Sequence, residues 1–314
     1  MTTKTAAALL LLSAAGVHGQ TTAFDPAQTC EGKAGYEAPA AAALEDMTDA
    51  QLIEAAGEAI QAIDLAAECW HQLDSHPGCY VWNSGLRAEE TASWSGACGG
   101  SVAEGEGVLT WAYPEGASVY EGALVGGKRH GRGRVTSGFG RVEEGTYANG
   151  LRSGRWRITY RPHGPAAAAA QRGGIAVGSV TEGIYANGRR TGMWVERHEN
   201  GDVTETPYVN GEIHGTMVWR RKPNGDGVET PFVNGERHGT QVLRYGTGTW
   251  AETVTETPYV NDKEHGTEVQ RNADGNVTRE TPYVNGEKHG TEVRRNADGT
   301  VARIRYVNGE RQDL

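Results

Sequence analysis

The sequence predicts a mainly β protein, built from repeated antiparallel β-hairpins with a small, disulfide-bonded helical N-terminal cap. Two observations predict the hairpin repeats: a short motif recurs from residue 94 onward, and the chain contains 45 glycines in 314 residues. So much glycine favours many turns over one thick hydrophobic core. Four cysteines and one amphipathic stretch, all before residue 100, predict the cap.

The recurring motif is clearest in PYVNGEIHGT, which begins at Pro207. Close copies begin at Pro231, Pro258 and Pro282, and a shortened copy, YVNGE, begins at Tyr306. A recurrence of roughly 25 residues is typical of repeat architectures, in which each unit packs only on its neighbours. The sequence therefore predicts a repeat domain over residues 94–314.

One aromatic residue anchors each repeat unit. Towards the N-terminus the same frame fits three tyrosines and one tryptophan, which makes nine units with the last one incomplete. The anchors are Trp94, Tyr120, Tyr147, Tyr185, Tyr208, Phe232, Tyr259, Tyr283 and Tyr306.

Each unit contains two turn signals. The first is Asn-Gly, as at Asn210-Gly211, and the second precedes the next strand, as at Asp274-Gly275. Both dipeptides favour tight hairpins because their residues tolerate positive φ. Two turns per unit predict two strands per unit in an antiparallel meander. The glycine after each histidine, such as Gly215, falls within a strand and indicates a bulge or a slot covered by an aromatic ring.

The second strand of each unit alternates between two kinds of side chain. Val218 and its equivalents lie on one face, and the opposite face changes from Met217 and Trp219 to Glu292 and Arg294. An alternation with so polar a face predicts a sheet that meets water on at least one side.

The first nineteen residues resemble a secretory signal peptide. They have one lysine, an apolar run over residues 6–12, and small residues before Gln20. We therefore expect an exported protein, periplasmic or secreted. The C-terminal Arg-Gln-Asp-Leu resembles an ER-retention tetrapeptide, which leaves the ER lumen open for a eukaryotic host.

Export changes how the cysteines are interpreted. Cys30, Cys69, Cys79 and Cys98 are an even set, and in an oxidising compartment they predict two disulfides. A zinc site is disfavoured because their spacing, even with nearby histidines, matches no common structural site. The spacing does not determine the pairing. Cys30 with Cys69 and Cys79 with Cys98 is our working expectation.

A helical cap is predicted within residues 20–93. Thr48-Asp-Ala-Gln51 fits a capping box, and apolar residues then follow helical spacing to about residue 68. We expect this helix, residues 49–68, to cover the first repeat, because the end of a repeat stack needs its apolar face covered. Residues 161–174, RPHGPAAAAAQRGG, widen one repeat interval and predict a loop insertion.

The segment YEGALVGGKRHGRGR at Tyr120 closely resembles the MORN repeat pattern of an aromatic residue, Glu-Gly and later glycines. The later YVNG-ExHGT units are similar to a variant MORN group found in many bacterial exported proteins. The resemblance covers residues 94–314. It implies an elongated, single-layer ribbon of antiparallel hairpins that acts as a non-catalytic scaffold. Some MORN proteins contact membranes or acidic phospholipids. The later units have Val-Asn in place of Glu-Gly.

The charge distribution offers one anion-facing surface. Residues 94–200 contain 13 basic and 9 acidic residues, whereas the whole chain has a net charge of −10. Nothing forms the basic stripe of a nucleic-acid-binding protein. The candidate anion-binding residues are Lys128, Arg129, Arg132, Arg134, Arg152, Arg155 and Arg157.

Catalytic, cofactor-binding and metal-binding residues are not predicted. Residues 122–128 have the glycine and lysine spacing of a phosphate-binding loop, but Arg129 stands where Ser or Thr must hold magnesium. Histidines such as His214 and His238 recur once per unit, about 10 Å apart, too far to share one zinc ion. We expect a scaffold that binds another protein or further copies of itself. The alternative is peripheral binding of anionic phospholipid or polysaccharide.

Overall fold

The computed structural model describes residues 24, 28–30, 68–85, 87, 89–114, 116–138, 140–160, 178–222, 226–245 and 253–312. The regular structure within these residues is almost entirely antiparallel β-sheet, and none of them lies in an α-helix. The prediction of a mainly β protein made of many hairpins is confirmed. No helix in the described part of the chain is long and apolar enough to cross a membrane.

The strands of the described residues are numbered in chain order. They are β1 Cys69–Gln72, β2 Tyr80–Asn83, β3 Thr91–Trp94, β4 Ala97–Gly99, β5 Val102–Tyr113, β6 Gly116–Val125, β7 Lys128–Ser137, β8 Arg141–Ala148, β9 Leu151–Tyr160, β10 Ser179–Ala186, β11 Arg189–Arg197, β12 Val203–Val209, β13 Glu212–Ile213, β14 Gly215–Arg220, β15 Gly227–Val233, β16 Glu236–Arg237, β17 Gly239–Tyr245, β18 Thr253–Val260, β19 Lys263–Glu264, β20 Gly266–Arg271, β21 Val277–Val284, β22 Glu287–Lys288, β23 Gly290–Arg295, β24 Val301–Val307 and β25 Glu310–Gln312.

The helical cap is not supported by the structure. The predicted helix over 49–68 lies outside the described residues except for Glu68, which is in no regular element. The described residues that follow it form β1 and β2, an antiparallel hairpin with Trp70 opposite Trp82. Trp70, Tyr80, Val81 and Trp82 are residue types that strands favour, but each of the two segments is only four residues long. The predicted signal peptide 1–19 and loop insertion 161–174 also lie outside the described residues.

Two disulfides tie this N-terminal region together. Cys30 is bonded to Cys69, and Cys79 is bonded to Cys98, which is the pairing that we expected. Because Cys98 lies in β4 within the first repeat, the second disulfide joins the β1–β2 hairpin to the repeat. Closing loops of this size typically stabilises a fold by about 3 kcal/mol each, mainly by restricting the unfolded chain.

The chain divides into two units. The first consists of Met1–Glu115, Glu121–Gly131 and Tyr147–Leu151, and the second of Gly116–Tyr120, Arg132–Thr146 and Arg152–Leu314. In the second unit the strands from β10 to β25 pair in chain order, each hairpin followed by the next. This meander confirms the two turns and two strands that the sequence predicts for each hairpin repeat.

The Asn-Gly turns have the backbone that their sequence predicts. Asn210 has a φ of 53° and Gly211 a φ of 96°, and the turns at Asn149, Asn187, Asn234, Asn285 and Asn308 repeat this pattern. Positive φ at both central residues defines the hairpin turn whose twist matches its flanking strands. Each turn is also bonded to the preceding unit: the N–H of Gly211 donates to the carbonyl of Arg190, and that of Gly235 to the carbonyl of Ile213.

The histidine and glycine after each turn interrupt the second strand. The register changes from Tyr208 opposite Ile213 to Glu205 opposite Val218, which leaves His214 and Gly215 as the bulge. Gly215 has a φ of 110°, and a Cβ there would lie 3.1 Å from the Pro207 ring. The predicted bulge is therefore present, but a proline ring covers the glycine instead of an aromatic ring.

Candidate binding surfaces of the hairpin repeats

The anchors define one face of the repeat sheet in the second unit, which we call the tyrosine face. Strand residues two apart share a face, so each anchor lies beside the residue two positions before it. Tyr120 and Tyr185 are buried, as is Tyr259, whereas Tyr208 and Tyr283 are half-buried. Burial of the anchors on this face therefore differs from one repeat to the next.

A cation from the preceding hairpin lies over the ring of most tyrosine anchors. The pairs in the second unit are Arg152–Tyr185, Arg190–Tyr208, Arg237–Tyr259 and Lys288–Tyr306, at 5.3, 5.3, 4.3 and 5.0 Å from the ring centroid. The Arg152 and Arg190 guanidinium groups also donate to the tyrosine hydroxyls at 3.0 and 3.1 Å. Such contacts contribute about 0.5–2 kcal/mol each, so they join consecutive hairpins.

The structure places several of the predicted anion-binding residues in contacts within the protein. Arg152 is one member of the tyrosine row, and Arg129 in the first unit lies over Tyr147 in the same way, at 5.6 Å. Lys128 lies 4.7 Å from the Trp82 ring. Burial lowers the pKa of Lys128, although the charge of Glu68 acts in the opposite direction.

Of the other four predicted anion-binding residues, two form ion pairs within the protein and two do not. Arg134 pairs with Glu144 at 3.4 Å, and Arg157 pairs with Glu182 at 3.1 Å. Arg132 and Arg155 are exposed and have no ion pair among the described residues. Of the seven predicted residues, only Arg132 and Arg155 can therefore bind an external anion without losing a contact that the structure shows.

A second row on the tyrosine face joins the two strands within each hairpin. In the early units a tryptophan ring covers a glycine: a Cβ at Gly145 would overlap Trp156, and one at Gly183 would overlap Trp194. In the later units threonine replaces the glycine and a smaller or polar residue replaces the tryptophan. Their pairs are Thr206–Met217, Thr230–Gln241, Thr257–Glu268 and Thr281–Glu292, of which Thr230–Gln241 and Thr257–Glu268 are hydrogen-bonded at 2.9 and 3.3 Å.

Glu292 is the most enclosed carboxylate of this row, with 0% of its side chain exposed. It accepts hydrogen bonds from Arg279 at 3.1 Å, Lys288 at 3.2 Å and Arg294. Burial acts to raise the pKa of Glu292, but the three cationic donors outweigh it and lower the pKa to about 2. The group is therefore a structural anion that is held in its charged form.

The repeated histidines bind the next turn. The Nδ1 of His214 accepts from the backbone N–H of Asn234 at 3.4 Å, and that of His289 accepts from Asn308 at the same distance. His265 makes the same bond to Asn285 at 3.5 Å. The histidine of each of these three repeats therefore contacts the neighbouring hairpin. No group of three or more His, Cys, Asp or Glu side chains in the described residues is placed to hold a metal ion.

The opposite face of the second unit, which we call the outer face, has repeated ion pairs. They join the glutamate three positions before an anchor to an arginine on the returning strand: Glu205–Arg220 at 2.8 Å, Glu256–Arg271 at 3.5 Å and Glu280–Arg295 at 2.7 Å. Each of the six side chains is at least a third exposed, so each ion pair contributes at most about 1 kcal/mol to the free energy of unfolding.

The outer face also has a row of exposed valines beside the Asn-Gly turns. We call it the valine column; its members are Val209, Val233, Val260 and Val284, which are 51%, 43%, 42% and 42% exposed. Each valine lies directly opposite the residue after its turn, and opposite residues in an antiparallel pair share a face. These partners are Glu212, Glu236, Lys263 and Glu287.

The carboxylates beside the valine column differ from those of the ion-pair row. Glu212, Glu236 and Glu287 are exposed, and none of the three forms an ion pair within the described residues. An apolar row next to unpaired carboxylates is therefore a repeated feature of this surface, with Lys263 as its one reversal of charge.

A buried titratable cluster lies in the first unit. Glu90 accepts from the Asn83 amide, and its Oε1 lies 3.8 Å from Nδ1 of His71, a nitrogen that has no hydrogen-bond partner among the described residues. Burial raises the pKa of Glu90 to about 7, although the hydrogen bonds and the charge of Arg87 act to lower it. Burial lowers the pKa of His71, against the charge of Asp74. The fold therefore favours the neutral forms of both groups.

Comparisons with known proteins do not assign this chain to a class. No protein-family model matches the chain, and no curated protein is significantly similar to it in sequence. The resemblance to MORN repeats therefore depends on the repeat residues and on the hairpin pattern that they form.

The valine column and the intrahairpin pairs were not predicted, although the sequence contains a signal for each. The residue two before an anchor changes from Gly to Thr in the same units in which Trp, eleven positions later, is replaced. This joint change indicates contact between the two positions. The valine follows every later anchor, but only the register shows that it shares a face with the unpaired carboxylates.

Proposed function

We propose that this protein is an exported, non-catalytic MORN-type repeat scaffold that binds another protein through its repeated surface. The observation that supports this proposal most is the valine column, because large apolar side chains exposed in a regular row are typical of interaction surfaces. The two disulfides support an oxidising compartment, periplasmic or secreted. Neither a cofactor nor nucleic acid is part of the proposal.

The motif residues support a scaffold over an enzyme. His214 binds the next turn, Glu205 pairs with Arg220, and Arg190 lies over Tyr208. Each of these groups stabilises the stack of hairpins, so their recurrence follows from the recurrence of the hairpin. An enzyme would need a nucleophile or base with an orienting partner, held once and not in every unit.

Binding of anionic phospholipid or polysaccharide is the second proposal, with two candidate residues in place of the seven that the sequence suggested. It depends on Arg132 and Arg155, the two exposed arginines of the predicted set that have no ion pair among the described residues. Two exposed charges give weak, salt-sensitive attraction, since interactions over a Debye length of about 8 Å are screened at physiological ionic strength. We therefore rank it below protein binding.

The scaffold proposal is tested on the full chain in its own cell. The protein is tagged, localised, and purified under native conditions, and its mass in solution and its co-purifying proteins are measured. We expect one or a few partners in near-stoichiometric amount, or a defined assembly of the chain with itself. A monomer that retains no partner after mild crosslinking in the exported compartment would contradict the proposal.

A further inference from the structure

We propose that the valine column binds an extended, proline-rich segment with an apolar residue at every third position and Lys or Arg between them. The inference rests on the proposed scaffold function and identifies the partner's chemistry. It is carried by the spacing of the valines, by their exposure, and by the unpaired carboxylates beside them.

The spacing decides the conformation of the bound segment. Neighbouring valines of the column are two strands apart, which corresponds to about 9.6 Å. A polyproline II helix returns to the same side every three residues, after about 9.3 Å. Over the three intervals from Val209 to Val284 the mismatch accumulates to only about 1 Å.

Other conformations fit the column less well. An α-helix places a residue on the same side every seven positions, after about 10.5 Å, so its mismatch over three intervals is about 3 Å. A β-strand covers three residues in about 10 Å, but alternate residues point to opposite faces, so every third residue changes side. A polyproline II segment also lacks internal hydrogen bonds, so it can follow the twist of the sheet.

The charges decide the rest of the partner's composition. Glu212, Glu236 and Glu287 lie opposite Val209, Val233 and Val284, are exposed, and have no ion pair within the described residues. A basic residue beside each apolar residue of the segment would meet these carboxylates. At Val260 the opposite residue is Lys263, so this unit repels a basic segment.

The test uses synthetic peptides and the full-length protein. A labelled twelve-residue peptide, Leu-Pro-Lys repeated four times, is titrated with the protein by fluorescence anisotropy at low and physiological salt. Two further peptides serve as controls: one has the same composition in scrambled order, and one is an α-helix with Leu at every seventh position and Lys beside it. We expect saturable, salt-sensitive binding of the first peptide, at least tenfold tighter than that of either control.

Protein variants then locate the binding surface. Val233→Ser with Val260→Ser should weaken binding by about fivefold per valine, because each valine has apolar surface left to bury. Val301→Ser is the matched control, because Val301 is 45% exposed but lies outside the column. Lys263→Glu should tighten binding about threefold, and Glu236→Lys should weaken it. Circular dichroism confirms that each variant is folded, which these exposed positions permit.

The outcomes separate this inference from the scaffold proposal. Equal affinity for the scrambled peptide, tighter binding of the helical peptide, or no effect of the two valine substitutions would overturn the polyproline inference. If native partners still co-purify with the Val233→Ser, Val260→Ser protein, the scaffold function stands and the valine column is not its site. If no partner is found for the wild-type protein, the scaffold proposal itself fails.

Discussion

The pairing of a large ring with a glycine inside each early hairpin makes a prediction that a double-mutant cycle can measure. The Trp194 ring is 2% exposed and covers Gly183, whereas the equivalent later pair is Thr257 with Glu268. We therefore substitute Gly183→Thr, Trp194→Glu, and both together, which converts the early pair into the later one.

The magnitudes follow from the contacts. Gly183→Thr alone forces side-chain atoms into the Trp194 ring, and overpacking of this kind costs about 1–3 kcal/mol. Trp194→Glu alone removes a buried aromatic ring and leaves a slot above the glycine, at about 3–4 kcal/mol. In the double variant the clash is gone and the threonine can bond the carboxylate. We expect its destabilisation to fall short of the sum by about 1.5 kcal/mol or more.

Urea unfolding followed by circular dichroism measures all four proteins, because the method does not depend on the tryptophan that is removed. Gly183→Ala with the tryptophan retained gives a milder test of the clash, since it adds one methyl group. A coupling free energy within about 0.5 kcal/mol of zero would refute the reasoning, since independent sites are additive to that extent.

Three further predictions concern charge. Glu292→Gln should destabilise the protein by about 1–2 kcal/mol at pH 7, a value that we discount because the three cationic partners are 28–47% exposed. The folded-state pKa of Glu292, about 2, is below the ordinary 4.5, so the stabilisation is present above pH 4.5 and disappears as the pH falls through 2. Acid unfolding of the wild type and the variant would show this difference. The pH dependence of stability has the opposite sign for Glu90: its folded-state pKa of about 7 exceeds 4.5, so the free energy of unfolding falls by at most about 3 kcal/mol as the pH rises from 4.5 to 7. Glu90→Gln should remove this pH dependence from the urea midpoints. An unchanged pH dependence in the variant would mean that another group causes it. His71 acts in the other direction, because its lowered pKa reduces stability below pH 6.5. The lipid alternative predicts salt-sensitive binding to anionic vesicles that Arg132→Glu with Arg155→Glu abolishes, and undiminished binding by that variant would exclude this surface.

The architecture of the repeats was largely predictable because it depends on local signals. Asn210-Gly211 requires positive φ at two successive residues, which few other dipeptides provide, and its recurrence implies a recurring hairpin. The bulge at Gly215 was predictable for the same reason. The ring that covers it was not, because only the three-dimensional structure shows that the Pro207 ring lies beside the glycine.

The prediction of a helical cap shows where local signals are insufficient. A capping box and helical spacing predicted a helix over residues 49–68, of which the structure describes only Glu68. The strands β1 and β2 lie just beyond them, and each is four residues long. Segments this short contain too few alternations to be distinguished from a loop, and their partners, such as Thr29 for Trp70, are distant in sequence.

The candidate surfaces were the least predictable feature, since they depend on which charges remain unpaired. Sequence alone grouped Arg129 and Arg152 with Arg132 and Arg155 as one basic surface. The structure separates them, because a tyrosine of the next hairpin lies under each of the first two. Pairing of this kind is a three-dimensional property that net charge per segment does not contain.

The central claim, that the repeats form an interaction scaffold through the valine column, is tested most directly by site-specific photocrosslinking in the native cell. A photoreactive amino acid replaces Val233 in one protein and Val301 in another, and crosslinked species are identified by mass spectrometry. We predict one or a few defined adducts from position 233 that are absent from position 301. No adduct at position 233, or the same adducts at both positions, would contradict the account.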